Sequence, residues 1–255
     1  MALEFETIDG VQAEYLLKPI SKETELSAIL RIMRNQLFRF YMSQLKTGRR
    51  NLLYPGAGAD ATSMGDIRSE FQKNYFVDKL YSPEDTVERE ITGGLDKLVD
   101  KNNLTLIYQD LRDGLPRHIK LYGSNNGLKI YIPSPKGESV FQKHSIDLLI
   151  IKGLLLESFT KFREQLHNVL HPNALIAICY HCLSMYKESD EIVWGERYEL
   201  ASELSNLYCV TESVVPYDFS LPDEIAKQLQ QKMNRPVRYL NQVSPWYFFR
   251  KAEML

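Results

Sequence analysis

The sequence predicts an α/β fold with a mostly parallel sheet and a helical extension at the N-terminus. Three features lead to this prediction. A turn containing Pro55, Gly56 and Gly58 stands between a short strand and a helix-compatible segment. Residues 146–151 are predicted to form a strand that is continuously apolar after Asp147, which is typical of the centre of a parallel sheet. Predicted helices alternate with many of the predicted strands, as parallel connections require.

Composition and charge limit the class of protein. The chain has 255 residues, of which 44% are hydrophobic and 25% are charged, and this suits one large globular domain with an addition. The net charge of −2 provides no general positive field, so a nucleic-acid substrate would need a local basic patch. We therefore expect a small-molecule or protein substrate.

The cysteines and the apolar segments indicate the compartment. The three cysteines are an odd and sparse set, which is typical of a reducing environment. Residues 1–10 lack the basic start and apolar centre of a signal peptide. The longest apolar run, over residues 148–156, is interrupted by Lys152 and Gly153 and is shorter than the roughly 20 residues of a membrane helix. We expect a cytoplasmic protein that does not bind a membrane.

Cys179 and Cys182 have the C-x-x-C spacing of a redox or metal pair, with His181 between them. A strand at this place would put residues three positions apart on opposite faces. No second pair of ligands completes a zinc site. We interpret the pair as structural and predict no metal site.

Residues 1–47 are predicted to form the N-terminal helical extension, and residues 48–255 the main domain. Apolar residues recur at helical spacing over residues 26–45. This helix is expected to cover one face of the sheet, with Phe38 and Tyr41 in the core. The alternative is that these two aromatic side chains cover a ligand pocket.

The glycine turn and the acid that follows it are the clearest candidate site. Glycines allow a sharp turn and a close approach to a ligand, and the helix that follows offers N–H groups at its N-terminus. A second strand, predicted over residues 74–78, ends in Asp78 about 20 residues after the turn. In nucleotide-binding α/β domains an acid at this distance binds a ribose diol, because a carboxylate can accept from both hydroxyls.

A helix over residues 82–99 follows, and then three short predicted strands, over residues 104–108, 119–122 and 128–132. One of them is expected to be the third strand of the main sheet, and the other two to form an inserted β-hairpin. If the first is the core strand, Asp110 lies near the ligand. If the last is, Pro133 and Ser134 do.

Ligands of such folds bind at the carboxyl ends of the parallel strands. Lys152, Glu157 and His181 follow predicted strands and are expected beside the cleft, although a solvated or structural role explains each of them as well. The elements that remain are a helix over residues 155–169, strands over 175–180 and 207–215, a helix over 222–233, and a last strand over 246–251. This last strand is expected to form an antiparallel hairpin with the preceding strand at the sheet edge.

Five segments carry a resemblance to a known family: Leu52 to Gly58, Phe76 to Asp78, Ser145 to Ile150, Leu170 to Ile176 and Trp246 to Lys251. In this order they resemble the first, second, fourth, fifth and last strands of the Rossmann-like class I S-adenosylmethionine-dependent methyltransferases, over about residues 48–255. The resemblance implies S-adenosylmethionine as cofactor, with the turn along its methionine part and Asp78 on its ribose. The predicted cofactor-binding residues are Tyr54, Gly56, Ala57, Gly58, Asp60, Asp78 and Lys152.

The main functional hypothesis is a methyltransferase that transfers a methyl group by in-line displacement. Methyl transfer depends mainly on the positioning of two reactants and leaves no fixed catalytic signature. We therefore assign neither the methyl acceptor nor a catalytic residue. Lys152 and Gly153 follow the fourth strand in place of Asn-Pro-Pro-Tyr or Pro-Cys, so methylation of adenine N6 or cytosine C5 is not expected.

Two positions depart from the family's pattern and favour an alternative. Tyr54 stands where an acid usually opens the first motif, and Asp60 stands where a third small residue usually ends it. The alternative is a methyltransferase-like fold without activity that acts as a binding or regulatory module. An NAD-dependent reductase is a weaker hypothesis, because Ala61 stands where the third glycine of G-x-G-x-x-G would be.

Overall fold

The structure is a computed structural model, and it describes residues 25–43, 45, 48, 50–58, 65–82, 103–125, 128–152, 165–179, 213–214, 219–243 and 246–251. Apart from Ser82, the helix predicted over residues 82–99 lies outside these ranges, as do Asp60, Glu157, His181 and Cys182.

The described strands form one mixed sheet. Their order across the sheet is β6-β4-β5-β3-β2-β1-β7-β8-β10-β9. The six neighbouring strands from β5 to β8 are parallel, which confirms the predicted α/β fold. The strands are β1 Asn51–Pro55, β2 Lys73–Asp78, β3 Leu104–Tyr108, β4 His118–Asn125, β5 Leu128–Pro133, β6 Glu138–Ser139, β7 Ile146–Ile151, β8 Leu170–Cys179, β9 Ser213–Val214 and β10 Trp246–Arg250.

The third strand of the main sheet is β3. It pairs in parallel with β2, from Asn74 opposite Leu104 to Asp78 opposite Tyr108. β4 and β5 are antiparallel neighbours, so the predicted inserted hairpin is confirmed, and β5 joins the sheet in parallel beside β3. Of the two alternatives, the one that makes residues 104–108 the core strand is therefore correct.

The last strand is antiparallel and pairs with the preceding strand at the edge of the sheet, as predicted. β10 pairs with β8 on one side and with β9 on the other, so β9 is the outer strand of this part of the sheet. Trp246 and Phe248 are fully buried. An apolar strand of this kind is better covered between two neighbours than at an edge, where its backbone and side chains would meet water.

In the part of the chain that the structure describes, three helices accompany the sheet: α1 Glu25–Ser43, α2 Gly65–Arg68 and α3 Asp223–Met233. Residues 165–169 are also helical. α1 and α3 supply apolar side chains to the core on one sheet face, whereas a second buried cluster occupies the other face. Phe38 lies edge-on to Trp246, with ring centroids 4.9 Å apart, and Tyr41 stacks on Phe248 at 4.0 Å. The predicted core role of these two residues of α1 is confirmed.

Asp147 ties β1 to β7 where both strands begin. Its carboxylate oxygen Oδ2 accepts hydrogen bonds from the backbone N–H groups of Arg50 (2.8 Å) and Asn51 (3.2 Å). The Asp147 side chain is fully buried. These donors lie where β1 enters the sheet, so the carboxylate supplies acceptors that no strand supplies there.

A basic cluster occupies the same amino edge of the parallel strands; it contains Lys143, His144, His167, His171 and Lys251. The Lys251 ammonium is buried and donates to the carbonyl oxygens of His167 (2.6 Å) and Leu170 (2.8 Å). Burial, together with the charge of Lys143, lowers the pKa of Lys251. Burial lowers the pKa of His144 and His167, and the Lys251 charge lowers both further.

Acidification is expected to destabilise the protein through these histidines. Their pKa values are lower in the folded chain than in the unfolded chain, so below about pH 6.5 the unfolded chain binds more protons. The free energy of unfolding should therefore fall between about pH 7.5 and about pH 5.5. Urea unfolding at both pH values would measure this, and the H144Q/H167Q variant should lose part of the pH dependence. An identical pH dependence in that variant would contradict the assignment.

No helix among the described residues combines the length and the apolar character needed to cross a membrane. Nor do the described histidine, cysteine, aspartate and glutamate side chains form a group of three or more that could hold a metal ion.

Candidate functional site

The candidate site lies at the carboxyl edge of the parallel strands. The turn after β1, the end of β2 and the residue after β7 share this edge, because β2 and β7 are the two parallel neighbours of β1. Gly56, Gly58, Asp78 and Lys152 are therefore brought to one edge, at the place where such sheets bind ligands. Lys152 is half-buried there.

The glycine turn needs glycine for its backbone conformation. Gly56 has a φ of 69° and Gly58 a φ of 44°, which residues with a side chain rarely adopt. A Cβ on Gly58 would lie 3.5 Å from Leu80 and 3.6 Å from Asp78, which are ordinary contact distances. The positive φ, rather than lack of space, is therefore what selects glycine at position 58. Ala57 between them is buried in the core on the face of α1.

Asp78 joins the glycine turn to the chain that leaves β2. Its Oδ2 accepts from the Gly58 N–H and its Oδ1 from the Leu80 N–H, each at 2.9 Å. The second bond caps the short 3₁₀ helix Lys79–Tyr81. The Gly56 N–H donates to the carbonyl oxygen of Val77 at 2.8 Å, so the turn is bound to the end of β2 at two points.

The environment of Asp78 affects both its charge and its capacity for a ligand. The residue is 8% exposed. Burial raises the pKa of the Asp78 carboxyl, and the backbone hydrogen bonds from Leu80 and Gly58 lower it in part. A carboxylate has about four acceptor sites. The two short internal bonds leave acceptor capacity for a ligand hydroxyl at this edge.

Tyr81 is a residue of the site that the sequence did not indicate. Its hydroxyl donates to the carbonyl oxygen of Gly58 at 2.9 Å, and its side chain is fully buried. Gly58 is thus held through its N–H by Asp78 and through its carbonyl by Tyr81. No periodicity or spacing marks a tyrosine three positions after a strand, because this contact depends on how the loop folds back.

Tyr54 occupies the core and not the open edge. It is fully buried, and its ring lies edge-on to Phe76, with centroids 5.9 Å apart and planes at 83°. Its side chain belongs to the same buried cluster as α1 and α3. Its predicted part in cofactor binding stays a prediction, as does that of Asp60, which lies outside the described residues.

Asp110 follows β3 at the same edge. Its carboxylate accepts from the Arg112 guanidinium, with Oδ2 2.6 Å from Nη2, and from the Arg112 N–H at 2.9 Å. These bonds hold the pKa of Asp110 at about 2. The Gln109 N–H beside it donates to the carbonyl oxygen of Asp78 at 3.3 Å. The end of β3 is therefore adjacent to the Asp78 site, and Asp110 caps its own loop.

A parallel α/β sheet with a glycine turn after β1 and an acid at the end of β2 is the arrangement of Rossmann-like nucleotide-binding proteins. Solved structures similar to this chain include methyltransferases. One is the N-methyltransferase NodS from Bradyrhizobium japonicum in complex with S-adenosyl-L-homocysteine (12% identity, TM-score 0.45, covering 91% of this chain and 90% of that chain). Others are an S-adenosylmethionine-dependent methyltransferase from Aquifex aeolicus (13%, 0.42, 90% and 97%) and a putative one from Listeria monocytogenes (9%, 0.42, 86% and 100%).

No protein-family profile and no curated protein matches this sequence. The similarity to the solved structures is a similarity of overall fold at low identity, so the function has to be inferred from the chain's own residues.

Proposed function

We propose that this protein is an S-adenosylmethionine-dependent methyltransferase that binds its cofactor against the joined glycine turn and Asp78. The observation that carries the proposal is the hydrogen bond from the Gly58 N–H to the Asp78 carboxylate. It makes the turn after β1 and the acid after β2 one preorganised unit. The fold class and the spacing of the two parts agree with this proposal.

The residues of this unit fit an adenosyl cofactor. The positive φ values of Gly56 and Gly58 produce a turn without side chains along which a ligand can lie. Asp78 offers the remaining acceptors of a buried carboxylate to a ribose diol, and hydrogen bonds to a charged group are stronger than those between neutral groups. When bound, the cofactor supplies an electrophilic methyl group on a sulfonium sulfur. The chain holds it in place and limits its access to water.

A second candidate function is a binding or regulatory module that retains the fold without methyl transfer. The observation that favours it is the burial of the Tyr54 ring at the position where the family usually carries an acid. An aromatic side chain packed on Phe76 provides no carboxylate for the amino group of the cofactor. Under this hypothesis the affinity for the cofactor is weak or lost.

Isothermal titration of the full chain with S-adenosylmethionine and with S-adenosylhomocysteine tests the proposal. We expect binding heat with both ligands and an increase in unfolding temperature, because a ligand that binds only the folded chain stabilises it. NAD serves as the control ligand and should produce neither effect. Neither heat nor a thermal shift at millimolar cofactor would refute the methyltransferase proposal and favour the second candidate.

A further inference from the structure

α3 and the loop that follows it carry a concentration of positive charge. We define the α3 basic surface by the exposed residues Lys227, Gln230, Asn234, Arg235, Arg238 and Tyr239. The sequence between Glu224 and Glu253 contains no acidic residue. In a chain with a net charge of −2, this segment is a local basic patch on a protein without a general positive field.

The surface has a concave part of about 570 Å³. Lys227, Gln230, Gln231 and Asn234 lie at helical spacings of three and four residues, so they share one face of the helix end. Among the described residues, no carboxylate and no aromatic side chain lines this concavity, and Pro236 is its one apolar lining residue. Pockets for small molecules are mostly apolar, so these cations and amides suit a hydrophilic anion better. The lining residues are Lys227, Gln230, Gln231, Asn234, Arg235 and Pro236.

The helix dipole explains only part of this charge. Lys232 lies in the last turn of α3, where a cation stabilises the partly negative helix end. Lys227 is in the middle of the helix, and Arg238 lies in the loop after it, more than one turn from the helix end, so both are outside the range of this effect. The acids Asp223 and Glu224 occupy the first turn of α3, and neither forms an ion pair with a described residue.

The loop that carries Arg238 and Tyr239 is held in one conformation. Asn234 ends α3 in the left-handed region, with a φ of 50°. The Gln242 Oε1 accepts from the N–H groups of Arg238 (2.6 Å) and Tyr239 (3.1 Å). Arg235 donates from Nη2 to the carbonyl oxygen of Gln242 at 2.9 Å, which connects the concavity to this loop.

Burial alternates with exposure along this loop. Val237 is 2% exposed and Leu240 is 1% exposed, so both anchor the loop in the core. Arg238 and Tyr239 between them face the solvent, and Tyr239 is 44% exposed. An aromatic ring on a fixed loop beside cations offers a stacking platform next to an electrostatic contact at little entropic cost.

We propose that the α3 basic surface binds a single-stranded nucleic acid, with its cations on successive phosphates and the Tyr239 ring stacked on an unpaired base. Stacking of this kind needs an unpaired base, which favours a single strand over a duplex. A membrane surface fits less well, because Tyr239 is the one large exposed apolar side chain on this surface among the described residues. The proposal does not depend on cofactor binding.

Fluorescence anisotropy with the full chain and a labelled oligonucleotide of about 12 nucleotides tests it. The probes are single-stranded RNA, single-stranded DNA, a duplex of the same length and vesicles containing phosphatidylserine. The K227Q/R238Q variant removes two charges of the surface. The Y239A and Y239F variants distinguish the contribution of the aromatic ring to binding from that of the hydroxyl. K120Q/K129Q is the matched control, because Lys120 and Lys129 are exposed cations on β4 and β5, outside the α3 basic surface.

We expect one of the single strands to bind more tightly than the duplex, with an affinity that falls as salt rises. The K227Q/R238Q variant should reduce the slope of log affinity against log salt by about 1.4, the effect of two phosphate contacts in a single strand. Y239A should weaken binding about fivefold or more, and Y239F should not. Circular dichroism of each variant verifies that it is folded.

Absence of binding at low salt would overturn the proposal, and so would an equal loss in K227Q/R238Q and K120Q/K129Q. Binding to vesicles without binding to either single strand would also overturn it. Full retention of affinity by a folded Y239A variant would refute the stacking contact.

Discussion

Replacement of Asp78 by alanine is expected to weaken S-adenosylmethionine binding by about 1–3 kcal/mol, the range for loss of hydrogen bonds to a charged group. The variant loses the acceptor for the ribose diol and also the bond that holds the Gly58 N–H. Isothermal titration of the folded variant measures the effect. Asp113→Ala is the matched control, because Asp113 is an exposed acid in the loop after β3. Unchanged affinity of Asp78→Ala would contradict the assignment of Asp78 as the ribose acceptor.

The pH dependence of cofactor binding provides an independent readout of the same residue. The pKa of Asp78 is raised, so the carboxylate takes up a proton at a higher pH than an ordinary aspartate does. Protonation removes acceptor capacity, and the affinity for the cofactor should therefore fall on acidification. The same shift has the opposite sign for folding, because a raised carboxyl pKa makes the folded chain bind more protons and gain stability as pH falls. Loss of binding together with a gain in stability would distinguish Asp78 from the histidines.

Replacement of Asp147 by alanine is expected to lower the free energy of unfolding by about 2–4 kcal/mol, because two backbone donors lose a charged acceptor. These donors are the N–H groups of Arg50 and Asn51 at the start of β1. Urea unfolding measures the change. Asp113→Ala should shift stability by about 0.5 kcal/mol or less, as is usual for an exposed site.

Asp147→Asn is the conservative variant, and it should recover most of the loss. The amide oxygen can accept from both backbone N–H groups, and the amide nitrogen replaces Oδ1, which has no hydrogen-bond partner among the described residues. Cofactor affinity should be unchanged in this variant, because Asp147 lies at the opposite edge of the sheet from the glycine turn. Equal destabilisation by alanine and asparagine would show that the charge matters and not the two hydrogen bonds.

Several features of the candidate site were predictable from local pattern. The glycines after β1 mark a backbone that turns with positive φ, and this requirement is local to two residues. Asp78 is predictable by its distance from the turn, because the length of a strand-helix-strand unit varies little. The apolar run of β7 and the helical spacing of apolar residues in α1 are also patterns within a single element. Such features depend only on residues that are close in sequence, so they can be predicted without knowledge of the fold.

Other features depend on residues that are far apart in sequence. β10 pairs with β8 as well as with β9, and the pairing with β8 was not predicted, because the connection through α3 does not specify the strand on the other side. The residues next to Tyr81 and Asp147 in the sequence do not indicate which groups these side chains bond. Each forms its bond only after parallel strands have brought two distant segments together.

The sequence by itself determined the α/β class, the antiparallel last strand, and the position of the turn and its acid, because periodicity and turn chemistry act over a few residues. Only the tertiary structure decided which strand of residues 104–132 is the third, that Tyr54 lies in the core, and that Asp78 binds the Gly58 N–H. Pairing of strands and burial of side chains are collective properties of the whole sheet. For that reason Asp78 could be predicted from the sequence, whereas its hydrogen bond to the Gly58 N–H is known only from the structure.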